Sequence, residues 1–146
     1  MSHSAAEPVI VVDTSAVIEA LLGDPANRDL RHRLAVEDAI HAPHLIDVEV
    51  LHVLRRLVYR EVVTLERAQR CRLDLGRLRI LRYPHHPFAD RIWQLRPALT
   101  AYDAAFVALS EALSAPLITS DSRLKRASGH RADVQVYEPP SKESPA

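Results

Sequence analysis

The chain has 146 residues, 47% of them hydrophobic, and its 19 basic and 19 acidic side chains give a formal net charge of zero. This length and composition suffice to bury the core of one domain, which excludes an intrinsically disordered polymer. A neutral chain also lacks an overall positive field, so any binding of nucleic acid has to depend on local basic clusters.

The cysteine content and the N-terminus indicate where such a protein works. The single cysteine, Cys71, excludes a disulfide within the chain and favours a reducing compartment. No apolar run reaches the roughly 20 residues that span a bilayer, and Met1–Pro8 lacks the basic and apolar segments of a secretory signal. We therefore expect a cytoplasmic protein with no membrane partner.

The beginning of the chain predicts a strand, a tight turn and a helix. Val9–Val12 is a short β-branched run, typical of a strand that is buried on both faces. Asp13-Thr14-Ser15 can cap a helix, and the apolar pattern of Ala16–Leu22 ends at Gly23. A second helix is predicted to begin at Asp24-Pro25 and to end near residue 36, because proline is favoured at the first helical position.

Strand and helix patterns continue to alternate along the rest of the chain. Further strands are predicted at 39–42, 79–83, 117–119 and 134–137, and further helices at 44–60, 64–76, 89–95, 102–113 and 122–127. This order predicts an α/β sandwich with a mainly parallel sheet. We expect one domain over residues 9–138, with flexible ends at 1–8 and 139–146.

Four acidic residues occupy positions where such a sheet commonly forms a site. Sites of open α/β sheets lie beyond the carboxyl ends of the strands, and Asp13 and Asp121 directly follow the first and fourth predicted strands. Glu49 borders the apolar face of its helix, and Asp103 lies in the first turn of a helix that is otherwise nearly all apolar. Taken singly, each acid has an ordinary explanation as a helix cap, a turn residue or a solvated side chain.

Taken together, the four acids predict a metal site. Carboxylates gathered at one sheet edge would repel one another and raise some of their pKa values. A divalent cation removes that repulsion, and hard carboxylate oxygens suit Mg²⁺, for which Mn²⁺ can substitute. In such a site the ion lowers the pKa of water and stabilises charge on a phosphate, which is the chemistry of phosphodiester hydrolysis.

The same acids belong to four ordered segments, which are Val11–Ala16, Glu49 in its helix after a proline, Tyr102–Ala112 and Leu117–Asp121. In order and spacing, from residue 9 to residue 137, these segments resemble the motifs of PIN-domain nucleases. The resemblance is greatest to the VapC toxins of VapBC toxin–antitoxin pairs. It implies a PIN-like sandwich whose parallel sheet of four or five strands is flanked by helices.

The resemblance also implies an activity and partners. It implies a Mg²⁺- or Mn²⁺-dependent endoribonuclease that cleaves cellular RNA, often tRNA or ribosomal RNA, and that is neutralised by a VapB-like antitoxin. It implies a homodimer, and the apolar helices between residues 44 and 76 are candidates for either protein interface. The catalytic and metal-ligand roles fall on Asp13, Glu49, Asp103 and Asp121. Thr14 and Thr119 match family positions whose hydroxyls support the acids.

Our hypothesis for the reaction is an in-line attack of water on phosphorus, leaving 5′-phosphate and 3′-hydroxyl ends. Asp13 and Asp103 are the firmest predicted ligands. The preferred candidates for phosphate contacts follow Asp121 in the sequence and are Arg123, Lys125 and Arg126. A second basic cluster lies on the long helix and consists of Arg55, Arg56 and Arg60. A solvated surface explains either cluster equally well.

Three other classes of protein share parts of this pattern. A haloacid-dehalogenase-like phosphatase also begins with an aspartate after a buried strand, but it requires a second one two positions later, where this chain has Ser15. A receiver-type phosphoacceptor requires an acid at the end of its third strand, and Tyr83–Phe88 offers none. A non-catalytic PIN scaffold that only binds RNA or a partner is disfavoured by the complete set of four acids.

Overall fold

Five strands and seven helices alternate in the computed structural model, which describes residues 9–141. The predicted flexible N-terminus and residues 142–146 of the predicted tail lie outside the described residues. The strands are β1 Ile10–Val12, β2 Ile40–Pro43, β3 Ile80–Tyr83, β4 Leu117–Thr119 and β5 Val134–Val136. The helices are α1 Thr14–Leu22, α2 Arg28–Ala35, α3 Leu45–Tyr59, α4 Leu65–Arg77, α5 Ala89–Gln94, α6 Ala101–Leu113 and α7 Arg123–Arg126.

All five strands form one parallel sheet in the order β3-β2-β1-β4-β5. The most apolar strands, β1 and β4, lie side by side in its middle, with Val11 opposite Leu117 and Val12 opposite Ile118. The amide of Asp13 donates to the carbonyl of Ile118 at 3.1 Å, which keeps the carboxyl ends of the two strands level. The predicted α/β sandwich with a parallel sheet is confirmed.

Helices cover the sheet and bury its apolar side chains. Helix α6 packs against β1, β2 and β4, and it is buried without interruption over residues 104–110 because nearly every side chain there is small or apolar. Helix α1 packs against β4, α3 and α4. Within residues 9–141, no helix is both long enough and apolar enough to cross a membrane.

Polar caps define where several helices begin. The side chains of Asp13, Thr64 and Thr100 each accept a hydrogen bond from the first turn of the helix that follows, and the cap of α1 is the one that the sequence predicts. The predicted start of the second helix at Asp24-Pro25 is wrong. Helix α2 begins after Asn27, whose side-chain oxygen accepts from the amide of Leu30 at 3.2 Å and satisfies a donor that the helix itself leaves free.

Candidate active site

A cleft of about 510 Å³ opens at the carboxyl edge of the sheet, and all four predicted acids line it. Asp13 and Asp121 reach this acidic cleft from the ends of the two central strands, β1 and β4. Glu49 reaches it from α3, and Asp103 from the first turn of α6. The fold therefore brings together four side chains that are up to 108 positions apart in the sequence, between Asp13 and Asp121.

Asp13 is the most deeply buried of these acids, with only 6% of its surface exposed. One carboxylate oxygen accepts the amide of Ala16 at 2.9 Å and the hydroxyl of Ser15 at 2.7 Å, and the other accepts the hydroxyl of Thr119 at 2.6 Å. Burial raises the pKa of Asp13 to about 6, although the three hydrogen bonds favour the charged form. Among the described residues, no basic side chain forms an ion pair with Asp13.

Two hydroxyl bridges connect Asp13 to the residues that follow β4. Thr119 donates to Asp13 and accepts the amide of Asp121 at 2.9 Å. Ser15 also donates to Asp13 and accepts the amide of Ser120 at 3.0 Å. These bridges fix the separation between Asp13 and the backbone that carries Asp121. Thr119 therefore supports an acid, as the resemblance implies, whereas sequence reasoning assigned no such part to Ser15.

Glu49 and Asp103 share the electrostatic situation of Asp13. The hydroxyl of Thr14 donates to the Glu49 carboxylate at 3.0 Å, so this predicted hydroxyl also contacts an acid. Burial raises the pKa of Glu49, and the negative charge of Asp103 adds to the effect. Burial likewise raises the pKa of Asp103, and Asp121 contributes repulsion in the same direction. The raised pKa values show chiefly that these carboxylates are partly withdrawn from water, and repulsion between neighbouring acids adds to the effect.

Asp121 differs from the other three acids because it has a partner of opposite charge. The guanidinium of Arg123 contacts both oxygens of its carboxylate, at a shortest distance of 2.6 Å. This hydrogen-bonded ion pair holds the pKa of Asp121 below its usual value. The charge of Arg123 also offsets part of the rise in the pKa of Asp103. Arg123 thus supplies one positive charge at the exposed side of the cleft.

The basic residues are distributed differently from the two sequence clusters. Of the three residues predicted to contact RNA, only Arg123 lines the acidic cleft, and Lys125 and Arg126 are exposed outside its lining. From α3, His52 and Arg56 line the cleft. A fifth carboxylate, Glu19 of α1, lines it as well. Neither His52 nor Glu19 was singled out from the sequence, although Glu19 lies four positions after Ser15 and so shares its helix face.

The cleft has the donor chemistry that a divalent cation requires, but its side chains are not yet gathered around one point. In the described part of the chain, no three Asp, Glu, His or Cys side chains are close enough together to hold one ion. Hydroxyls and an amide contact Asp13, and Arg123 contacts Asp121. The buried hydroxyl of Ser120, which also lines the cleft, finds no partner among residues 9–141. Hard oxygens, uncompensated charge and this free hydroxyl fit a hydrated Mg²⁺ or Mn²⁺ ion.

The geometry disfavours two of the alternative classes. The position where a phosphatase of the haloacid dehalogenase type has its second aspartate is held by Ser15, which is bonded to Asp13 itself. At the end of β3, where a receiver has its acceptor aspartate, the chain has His85, whose Nε2 accepts the amide of Leu45 at the start of α3. Neither position carries an acid.

The fold and the cleft define an α/β protein with a carboxylate-lined site at the carboxyl edge of a parallel sheet. A family model described as "PIN domain" matches residues 10–129 of the chain. The chain belongs to the PIN domain family, in its VapC group. It is 42% identical to the ribonuclease VapC1 of Mycobacterium tuberculosis over 127 residues, which cover 86% of this chain and 96% of that protein.

Other comparisons agree with this assignment. The chain is 38% identical to the ribonuclease VapC12 of M. tuberculosis over 128 residues, which cover 88% of the chain and 98% of the relative. Among solved structures, a VapBC2 complex from Rickettsia felis, bound to a promoter DNA fragment, matches with a TM-score of 0.63 at 13% identity. That match covers 89% of this chain and 99% of the other. FitAcB of Neisseria gonorrhoeae matches with a TM-score of 0.58 at 24% identity, over 89% and 97% of the two chains. At such identities the structural matches show a shared fold.

The buried Asp13 carboxyl predicts an unusual dependence of stability on pH. Its pKa is about 6 in the folded protein and 3.8 in a model peptide, so folding is penalised as the carboxyl ionises. Without metal, the stability of the wild type relative to Asp13→Asn should fall by about 3 kcal/mol between about pH 3 and pH 7.5. Urea unfolding of both proteins at each pH measures the difference, and any constant effect of the amide cancels. Mg²⁺ should restore part of the loss at pH 7.5, and a difference that does not vary with pH contradicts the prediction.

The Ser15 bridge predicts a loss of both stability and metal affinity. Ser15→Ala removes one bond to Asp13 and leaves the Ser120 amide without its acceptor, at a cost of about 1–3 kcal/mol in unfolding free energy. Binding of Mn²⁺, measured by titration calorimetry, should weaken about tenfold or more. Ser110→Ala is the matched control. The Ser110 hydroxyl donates to the Ala115 carbonyl over 2.6 Å, and neither residue lines the cleft. This control should lower stability without changing the Mn²⁺ affinity, and equal affinities in the two variants would refute the bridge.

Proposed function

We propose that this protein is a Mg²⁺-dependent endoribonuclease, with Mn²⁺ able to substitute, and that it acts as a toxin on cellular RNA. The observation that carries the proposal is the single cleft that unites all four carboxylates in a chain of the PIN domain family. Relatives with 38–42% identity are named ribonucleases, which supports RNA as the substrate. Transfer RNA and ribosomal RNA are the expected targets, and the cytoplasm is the expected place of action.

The proposed roles follow from the contacts of each side chain. Asp13 and Asp103 would hold the ion, with Glu49 and Asp121 completing the set. When bound, the ion supplies a water of lowered pKa and compensates the charge that develops on the phosphate. Thr119 and Ser15 hold Asp13, Thr14 holds Glu49, and Arg123 is placed to contact a phosphate. Lys125 and Arg126 remain candidates for contacts outside the cleft.

We propose further that a VapB-like antitoxin neutralises the protein. Two structural neighbours, VapBC2 and FitAcB, support this partner by the systems to which they belong. A surface for it exists between α3 and α4, where an apolar groove of about 280 Å³ is lined in part by Leu51, Tyr59 and Leu65. All three side chains are exposed, Tyr59 by 75%. The domain responsible for activity and binding would span residues 9–138. It would act as a homodimer, and sedimentation of the purified protein measures this oligomeric state.

The four carboxylates predict loss of RNA cleavage when any one is neutralised. Asp13→Asn or Asp103→Asn should lower the rate by at least about a hundredfold, because the charge that attracts the cation is reduced at the site. The matched control for Glu49→Gln is Asp47→Asn on the same helix. In the wild type the Asp47 carboxylate pairs with Arg82 and does not line the cleft. The measurement is cleavage of total tRNA and ribosomal RNA with Mg²⁺, with sequencing of the fragment ends. Full activity in EDTA or in the Asp13 variant would disprove the proposal.

The α3–α4 groove predicts a specific effect on antitoxin binding. Tyr59→Glu should prevent a stable complex with the small protein encoded beside this one, because it introduces a charge into an apolar contact. Trp93→Glu is the matched control, since Trp93 is 67% exposed but lies outside the groove. Co-expression and gel filtration detect the complex. Equal complex formation by the two variants would exclude the groove, and no complex with the wild type would exclude that partner.

A further inference from the structure

Helix α3 contributes four side chains to the acidic cleft, and they range from an acid at one end to an arginine at the other. Glu49, His52, Val53 and Arg56 all line it. Their spacing of three, four and seven positions places them on one helix face. The carboxylate stands at the end of this face near the other acids, and Arg56 lies about 10 Å further along the helix axis. One face of a single helix thus runs from the proposed cation site to a positive charge.

The state of Arg56 differs from that of the other arginine in the cleft. Arg123 is committed to Asp121, with a contact of 2.6 Å. The guanidinium of Arg56 forms no hydrogen bond and no ion pair with any residue in the described range 9–141, and the side chain is exposed. Its guanidinium donors are therefore available to a ligand. His52 stands one turn before it on the same exposed face.

The charge of the cleft indicates what that ligand is. Five carboxylates line the cleft, so its interior repels an approaching polyanion, and a chain without net charge provides no long-range attraction to offset this. A free guanidinium at the rim provides local attraction, and its planar group of donors matches the oxygens of a phosphate. The neighbouring Arg55 cannot do this, because it points to the α3–α4 groove and lies over the Tyr59 ring at 4.7 Å.

We propose that Arg56, with His52 beside it, binds a backbone phosphate of single-stranded RNA that neighbours the bond cleaved among the acids. This inference rests on the proposed function and adds the path of the strand, which runs along α3 from Glu49 towards Arg56. Phosphate contacts of this kind position a strand without reading its bases.

The test compares two arginine variants that differ only in which side of α3 they occupy. Arg56→Ala and Arg55→Ala remove the same charge from adjacent positions, and both side chains are exposed, so unfolding temperatures verify that each variant is folded. Binding of a fluorescein-labelled 12-nucleotide oligouridylate is measured by anisotropy in EDTA, where no cleavage is expected, over a range of salt concentrations.

We expect Arg56→Ala to lower the affinity for the oligonucleotide about fivefold. The slope of the logarithm of the binding constant against the logarithm of the salt concentration should become less negative by about 0.7. Arg56→Lys should retain most of the affinity, and Arg55→Ala should equal the wild type. Equal losses in both alanine variants, no loss in either, or no binding by the wild type would overturn the inference. If Arg56→Ala loses binding of the small protein encoded beside this one but keeps its affinity for RNA, Arg56 contacts a protein and the inference is overturned. The cleavage assay with Mg²⁺ separates the outcomes, since an active enzyme with an unaffected Arg56→Ala variant refutes only this inference.

Discussion

The position of the Asp13 carboxylate is the constraint around which the site is arranged. It ends the central strand and caps the helix that follows, and two hydroxyls tie it to the backbone after β4. Each hydroxyl donates to one carboxylate oxygen and accepts one amide, so the polar groups at this junction satisfy one another. The arrangement fixes the geometry but leaves the charge of Asp13 uncompensated in a buried place. The carboxylate that caps α1 is therefore also the one proposed above as a cation ligand.

Charge within the cleft is balanced at only one of the four acids, because Asp121 alone has an ion-pair partner in the described part of the chain. Burial and mutual repulsion raise the pKa values of Asp13, Glu49 and Asp103, whereas the ion pair with Arg123 lowers that of Asp121. Arg123, which is itself exposed, thus neutralises one of the acids, and the other three form no ion pair among the described residues. The arginines of the cleft, Arg56 and Arg123, are both on its exposed surface and not in its buried interior.

The sequence predicted the sheet, most element bounds and the convergence of the four acids, because hydrophobic period, caps and strand ends are local signals. It did not predict the start of α2, where the Asn27 cap prevails over a helix-favouring proline. It also did not predict Ser15 as a bridge, because the amide of Ser120, one of the two groups that Ser15 joins, lies 105 positions away. Of the adjacent residues Arg55 and Arg56, only Arg56 lines the cleft. The packing of α3 decides this, and a run of basic residues in the sequence does not predict it.

The strand order has a consequence for how the protein comes into being on the ribosome. Strand β1 is synthesised early, yet one of its two neighbours is β4, and Asp13 and Thr119 are 106 positions apart. A growing chain cannot close this contact until nearly all of the domain has left the exit tunnel, and contacts of such sequence separation form slowly. A nascent chain that has not yet reached Asp121 therefore cannot bring all four acids together. The cleft is completed only when synthesis of the domain is almost finished.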